Sequence, residues 1–207
     1  IGILLPALLR AGQGFSFERF FSDQTLRFDF YHSGDAKTEQ FTPDRIYCYG
    51  TWAGNPDYCV QTTELGTYKV KVVDIATNTL IYSKCYSTIF AEYQTTGPAV
   101  KGESKTYHES VLIPCPLKPF LLVIEKRDRQ NLTEPVYRVT IDPADYHINR
   151  EKIAGAHDRI IPAHKGADPH HAVDLVILAE GYTEAEFDRF KKDLEYYTRL
   201  FFSVEPY

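Results

Sequence analysis

Between Leu26 and about Asp142, apolar and polar residues alternate in short runs with a period of two. Leu26, Phe28 and Phe30 alternate with Arg27, Asp29 and Tyr31, which sets the two groups on opposite faces of a half-buried strand. Tyr68-Lys69-Val70-Lys71-Val72-Val73-Asp74 repeats the pattern. After Ala76-Thr77-Asn78-Thr79 the chain resumes as Leu80-Ile81-Tyr82-Ser83, so this stretch predicts a β-hairpin with a short turn. Val111–Ile113, Pro119–Glu125 and Val136–Ile141 add further strands, and Tyr, Phe, Val and Thr dominate all of them, as pleated, half-buried surfaces favour. No helical stripe interrupts the series. Many short strands separated by Gly, Pro and Asn turns predict a mainly β chain whose first domain is a β-sandwich.

From Pro143 to Val173 the alternation stops. Gly155, Pro162, Gly166 and Pro169 break any periodicity, and His157, His164, His170 and His171 gather here among Asp, Lys and Ala, a composition that predicts a linker. The pattern then changes again. Asp174-Leu175-Val176-Ile177-Leu178-Ala179 is a continuous apolar run, as for a strand buried on both faces. Glu180-Gly181-Tyr182 makes a turn, and Thr183 with Glu186 forms a capping box. Phe187, Phe190, Leu194, Tyr197 and Phe201 follow at three- and four-residue steps and form one helical stripe. Asp188 with Lys192, and Glu195 with Arg199, are placed to pair one turn apart on the polar side. These residues predict the first βα unit of a truncated α/β domain. The expected organisation is a leader remnant over 1–14, a sandwich over 15–142, a linker over 143–173 and the opening of a second domain over 174–207.

Composition narrows the class of molecule. The 207 residues are 43% hydrophobic and 25% charged, enough to bury a globular core. A net charge of −5 and a pI near 5.8 argue against a nucleic-acid partner, which calls for a basic face. No apolar run is long enough to span a membrane as a helix. The chain begins at Ile1 and contains no Met, and it stops just after a helical stripe, so the expectation is a fragment cut at both ends. Ile3-Leu4-Leu5-Pro6-Ala7-Leu8-Leu9 reads as the apolar centre of a secretory leader. Gly12-Gln13-Gly14 supplies a small-x-small cleavage site that would start the mature chain at Phe15. Export to the periplasm, cell surface or medium is therefore expected.

Four cysteines, Cys48, Cys59, Cys85 and Cys115, permit three pairings if all are bonded. Cys48 and Cys59 bracket the turn-rich Gly50–Pro56 and are candidates for a disulfide that staples it in an exported protein. Four buried thiols acting as small apolar residues are the alternative.

Several segments, taken in order, resemble a known family. Asp174–Thr183, followed by Phe187, Phe190 and Phe201-Phe202-x-x-x-Pro206, resembles the start of the catalytic domain of the IgA-peptidase family of zinc metallopeptidases. Upstream, Leu26–Phe30 before a Ser33-Gly34 turn, Trp52-Ala53-Gly54, and Ile81-Tyr82-Ser83 resemble that family's N-terminal accessory domain. So do Ser87-Thr88-Ile89-Phe90-Ala91-Glu92-Tyr93-Gln94-Thr95-Thr96, then Pro114-x-Pro116 and Arg127-Asp128. The resemblance covers roughly residues 26 to 207. It implies a protein or peptide substrate, and a zinc ion in the full-length protein held by a His-Glu-x-x-His helix. This sequence departs from the family there. His108-Glu109-Ser110-Val111-Leu112 starts correctly but ends on Leu112, within a segment that reads as a strand. No catalytic residue, cofactor ligand or metal ligand is therefore assigned to this chain, and the zinc histidines are expected past Tyr207.

The remaining candidates each have a structural counterpart. Glu180 and Tyr182 stand between a buried strand and a helix N-terminus, where α/β folds line their ligand crevices. The alternative is that Glu180 satisfies backbone N–H groups at the turn and Tyr182 packs. Asp168-Pro169-His170-His171 carries metal-ligating residue types, but adjacent histidines in an extended chain point apart. Asn131-Leu132-Thr133 fits a glycosylation sequon. Trp52 and the tyrosines would suit a carbohydrate platform, although a sandwich core explains them as well. A secreted β-sandwich module binding carbohydrate or a cell-surface protein is accordingly the rival to the peptidase reading.

Overall fold

The computed structural model describes residues 16–151, 159–164 and 166–205. The expected leader and its cleavage site lie outside the described residues. The chain divides into two compact units, Ile1–Lys152 and Ile153–Tyr207.

In the first unit a single helical turn, α1 (Phe17–Phe20), leads into β1 (Phe21–Gly34), followed by β2 (Glu39–Tyr49), β3 (Tyr68–Asp74) and β4 (Thr79–Tyr86). Two short helices, α2 (Ile89–Tyr93) and α3 (Gly97–Val100), precede β5 (Lys105–Pro116), β6 (Phe120–Arg127) and β7 (Thr133–Ile141). The strands form two antiparallel sheets, ordered β2-β1-β5 and β4-β3-β6-β7. Mainly β and sandwich-like, the unit has the expected architecture. Leu26, Phe28 and Phe30 of the first sheet join Val70, Val72, Leu122 and Ile124 of the second in one buried cluster. The alternation along β1 thus marks its inward face.

The β3–β4 hairpin forms where its pattern places it. Asp74 accepts hydrogen bonds from the Thr77 amide at 2.8 Å and the Thr77 hydroxyl at 2.5 Å. Asn78 takes a left-handed φ of 50°, a conformation that Asn tolerates better than most residues. Sequence patterning is silent on β2, and the reason is physical. It is an edge strand with Pro43, Asp44 and Arg45 in its middle, largely exposed. Proline cannot donate to a ladder and is confined to such edges, and the β1–β2 register shifts opposite Pro43. α2 and α3 also lack a sequence stripe, because four or five residues are too few to show one.

Residues 143–150, expected to begin a linker, instead pack onto the sandwich. The Cys48 amide donates to the Asn149 carbonyl at 2.9 Å, and the Asn149 amide donates to the Ile46 carbonyl at 2.9 Å. Ile148 is buried in the core cluster. Just past the same end of β2, Trp52 stacks on Phe17 with ring centroids 5.3 Å apart. Gly54 lies against this indole so closely that a Cβ there would strike the ring.

The second unit contains the expected helix, α4 (Phe187–Phe201), preceded by a 3₁₀ turn over Glu184–Glu186. The capping box is present: the Glu186 carboxylate accepts from the Thr183 amide at 3.0 Å and the Thr183 hydroxyl at 2.9 Å. The helical ion pairs differ from those expected. Asp188 faces Lys191 at 3.9 Å and Arg189 faces Asp193 at 3.8 Å, because rotamer choice lets either neighbour one turn away compete for the same charge. The apolar run 174–179 carries no ladder, and Val176 and Leu178 are 76% and 82% exposed. Among the described residues no strand lies beside it, so its burial on two faces is not realised here. Leu175 and Ile177 meet Tyr197, Leu200 and Phe202 along an open apolar groove of about 530 Å³.

Candidate functional site: a buried histidine clamp

A group of ionisable side chains drawn from both sheets meets at one end of the sandwich. His32, on β1, has 0% exposure. The residues alternating with it on the inward face are Phe28 and Phe30, so the period that builds the core also carries an imidazole into it. Both ring nitrogens are engaged: Nδ1 with Glu109 Oε2 at 2.9 Å, and Nε2 with Glu39 Oε2 at 3.2 Å. Phe41 and Phe90 stack against the ring, with centroids 4.0 and 3.8 Å away.

Glu39 is where the sheets are joined. It stands on β2, yet it accepts a hydrogen bond from the Tyr68 hydroxyl of β3 at 2.7 Å and from Lys126 Nζ of β6 at 2.9 Å. Burial alone would raise its pKa, but the hydrogen bonds from His32, Tyr68 and Lys126 outweigh that and lower it to about 2. Burial likewise opposes the charge on His32, yet its bonds to Glu109 and then Glu39 hold its pKa above the ordinary histidine value. Two carboxylates on opposite sides of one ring require both nitrogens to donate, which only the imidazolium can do. With His32 protonated, two cations, His32 and Lys126, balance Glu39 and Glu109. Desolvation, and then Glu39, pushes the Tyr68 hydroxyl well above the usual phenol range.

A lid closes the site. Glu109 Oε1 accepts from the Phe90 amide at 3.2 Å, so the carboxylate that holds His32 also fixes the start of α2. Gln94 links Lys126 Nζ, at 2.9 Å, to the Asp35 carbonyl, also at 2.9 Å. Thr88 caps α2 through the Ala91 amide at 3.0 Å, and Thr96 caps α3 through the Ala99 amide at 3.5 Å. The segment Ser87–Thr96 is therefore the cover of a buried ion cluster, held by the side chains of Thr88, Tyr93, Gln94 and Thr96. With both nitrogens occupied and the ring sealed from solvent, His32 is unable to relay protons to a substrate. The arrangement is a clamp between sheets.

The model of the peptidase M64 N-terminus family matches residues 16–138. The chain belongs to this family. No curated protein matches it. The matched range runs from α1 to the middle of β7 and contains every member of the clamp, so the M64 N-terminal domain coincides with the sandwich.

The residues singled out from sequence are dispersed. Tyr182 donates to Asp193 Oδ2 at 2.9 Å and sets its ring edge-on to Phe190, 5.3 Å away, while Glu180 is exposed beside Gly181, whose φ is +79°. Tyr182 thus packs on α4. All four cysteines are buried, and none is joined in a disulfide in this structure. Cys48 Sγ lies 2.6 Å from Cys115 Sγ, and Cys59 Sγ instead meets the Pro56 carbonyl at 3.4 Å. His108 and Glu109 lie on β5 and part company as strand neighbours do: His108 turns outward to Asp44 at 3.1 Å and Glu109 turns inward. Asp168 folds back on its own loop, accepting from the His170 amide at 2.8 Å. Among the described residues no group of three or more His, Cys, Asp or Glu side chains is arranged to hold a metal ion, and no helix is long and apolar enough to cross a membrane. The clamp escaped the sequence reading because its members lie far apart in the chain. The signal that points to it is a histidine at an inward position of a strand, which burial in a core makes costly without partners.

Proposed function

We propose that this chain is the N-terminal portion of an exported zinc metallo-endopeptidase resembling the IgA-peptidase family. Its sandwich is a rigid accessory body that supports or orients a peptidase domain, and residues 174–207 open that domain. The family match over 16–138 carries the reading. The second unit supports it: an isolated binding module has no use for an apolar run and an amphipathic helix that leave Val176, Leu178 and Tyr197 exposed. His108 does not begin a zinc site, since it points to Asp44 and the position four residues on is Leu112. On this reading zinc and hydrolysis belong to the peptidase domain, and its substrate is a protein or peptide. The rival carbohydrate module gains no support from Trp52, which is buried against Phe17.

The test is to sequence the reading frame past the Tyr207 codon, express the whole product, and measure its zinc content and its cleavage of an unfolded protein. A His-Glu-x-x-His helix, bound zinc and peptide cleavage are expected. A stop codon directly after Tyr207, or a complete product with neither zinc nor cleavage, would overturn the proposal. Export is checked separately by the N-terminus of the exported protein, expected at Phe15.

A further inference from the structure

Two cysteines far apart in sequence meet inside the sandwich. Cys48, near the end of β2, and Cys115, near the end of β5, are 67 residues apart in the chain, and their sulfurs are 2.6 Å apart. The strands that carry them are not neighbours, because β1 runs between them. Opposite Leu26 of β1 stand Cys48 on one side and Ile113 on the other, and Ser22 is paired with Cys115. The β1–β5 register jumps between Ser22 and Thr25, and ladder pairing of β1 with β2 begins only at Thr25. Past that bulge β1 no longer separates its two neighbours, and the sulfurs close over it. Such a bulge bends a strand and re-aims the side chains around it.

The other contacts of these thiols are longer: Cys48 Sγ lies 3.6 Å from Gln24 Oε1, and Cys115 Sγ lies 4.0 Å from the Pro116 carbonyl. Both residues are almost fully buried, at 1% and 3% exposure. A disulfide needs the sulfurs about 2.05 Å apart, roughly half an ångström closer than they already stand. Cys59 and Cys85 have other surroundings: Cys59 meets the Pro56 carbonyl, and Cys85 lies between the Thr63 carbonyl and the Arg127 guanidinium.

We infer that Cys48 and Cys115 are joined by a disulfide bond when this domain folds in the presence of a disulfide oxidant, tying β2 to β5 across the bulge in β1. The inference does not depend on the peptidase reading, since it requires only an oxidant of the disulfide class. The Cys48 thiolate attacks one sulfur of the oxidant, breaks its S–S bond and releases one thiol, which takes up the Cys48 proton. Cys115 then attacks the Cys48 sulfur of the mixed disulfide and releases the second thiol, which takes up the Cys115 proton. Two protein thiols are oxidised and one oxidant disulfide is reduced to two thiols. Because both sulfurs are sealed in the finished sandwich, the exchange belongs to folding, before β2 closes.

The experiment is a peptide map of the whole chain refolded in mixed reduced and oxidised glutathione, alkylated in denaturant without reductant. One cross-linked species joining the Cys48 and Cys115 peptides is expected, at least about tenfold more abundant than any other pairing, and separating on reduction with a gain of two hydrogens. Cys59 and Cys85 should be alkylated. A C59S/C85S variant keeps the cross-link and C115S loses it. Full alkylation of Cys48 and Cys115 in protein whose Trp52 fluorescence and circular dichroism show it folded, or a predominant Cys48–Cys59 species, would overturn the inference.

Discussion

Replacing Glu39 with Gln removes the charge at the point where both sheets meet while keeping the size of the side chain. Glu39 is held at about 2 against an ordinary 4.5, and at ~1.36 kcal/mol for each pH unit the carboxylate contributes roughly 3 kcal/mol to stability. This agrees with the ~3–5 kcal/mol lost when one partner of a buried ion pair is removed. The sign follows from the direction of the shift. A lowered carboxylate stabilises the fold fully above its unfolded value of 4.5 and loses that contribution as pH falls toward about 2. His32, whose pKa is raised above 6.5, contributes fully below that value, and its share is lost as pH rises through the folded pKa. Wild-type stability should therefore form a plateau between the two and fall away on either side. Urea unfolding of the whole chain, followed by Trp52 fluorescence across this pH range, measures it. At about pH 6, E39Q should be ~3 kcal/mol less stable. Its acid limb should be much shallower, and its alkaline limb should be shorter and end at lower pH, because His32 has lost one carboxylate and its folded pKa falls toward the unfolded value. An E39Q protein within about 0.5 kcal/mol of wild type, or one with an unchanged acid limb, would refute the clamp.

Other perturbations test neighbouring parts. Phe90→Ala uncovers the imidazole and removes a fully buried ring, which should cost about 3–5 kcal/mol in thermal unfolding; Phe90→Leu should recover much of this. Gly54→Ala drives a methyl into the Trp52 indole and should cost about 1–3 kcal/mol, with a shift in the emission of the only tryptophan. In native protein Cys59, pushed up to about 12 by burial, should resist alkylation at about pH 8; labelling at the rate of an exposed thiol would contradict its burial. Thr183→Ala removes half of the capping box and should lower the stability of α4 by about 1 kcal/mol, read as lost helical circular dichroism.

The sandwich was legible in sequence wherever one face of a strand is buried and the other wet. Leu26, Phe28 and Phe30 show this on β1, and the β3–β4 hairpin shows it with its turn. β2 was not, because an edge strand carrying Pro43, Asp44 and Arg45 has little apolar face to display. The clamp left individual traces, such as Phe90 and Gln94 within a segment that resembles a family signature. Its assembly depends on long-range pairing, with His32 and Glu109 lying 77 positions apart, and no local period reports that. The apolar run 174–179 shows the opposite case. Its composition is that of a buried strand, but a strand also needs a ladder partner, which composition does not supply.

The tail that follows β7 has a consequence for where this domain can be cut. Tyr47 and Asn149 form a parallel bridge at the outer side of β2, and Val60 does the same beside Ser83 of β4. Each of these short straps blunts an outermost strand of its sheet, and such edges, left bare, invite pairing with other chains. Shortening the chain to its last strand at Ile141 would strip the strap from Ile46 and Cys48 and empty the seat of Ile148. The self-sufficient module therefore ends near Arg150 rather than at the last strand. A shorter version would offer an open sheet edge to its own copies, and aggregation of such a truncation would report the lost strap rather than an unstable sandwich.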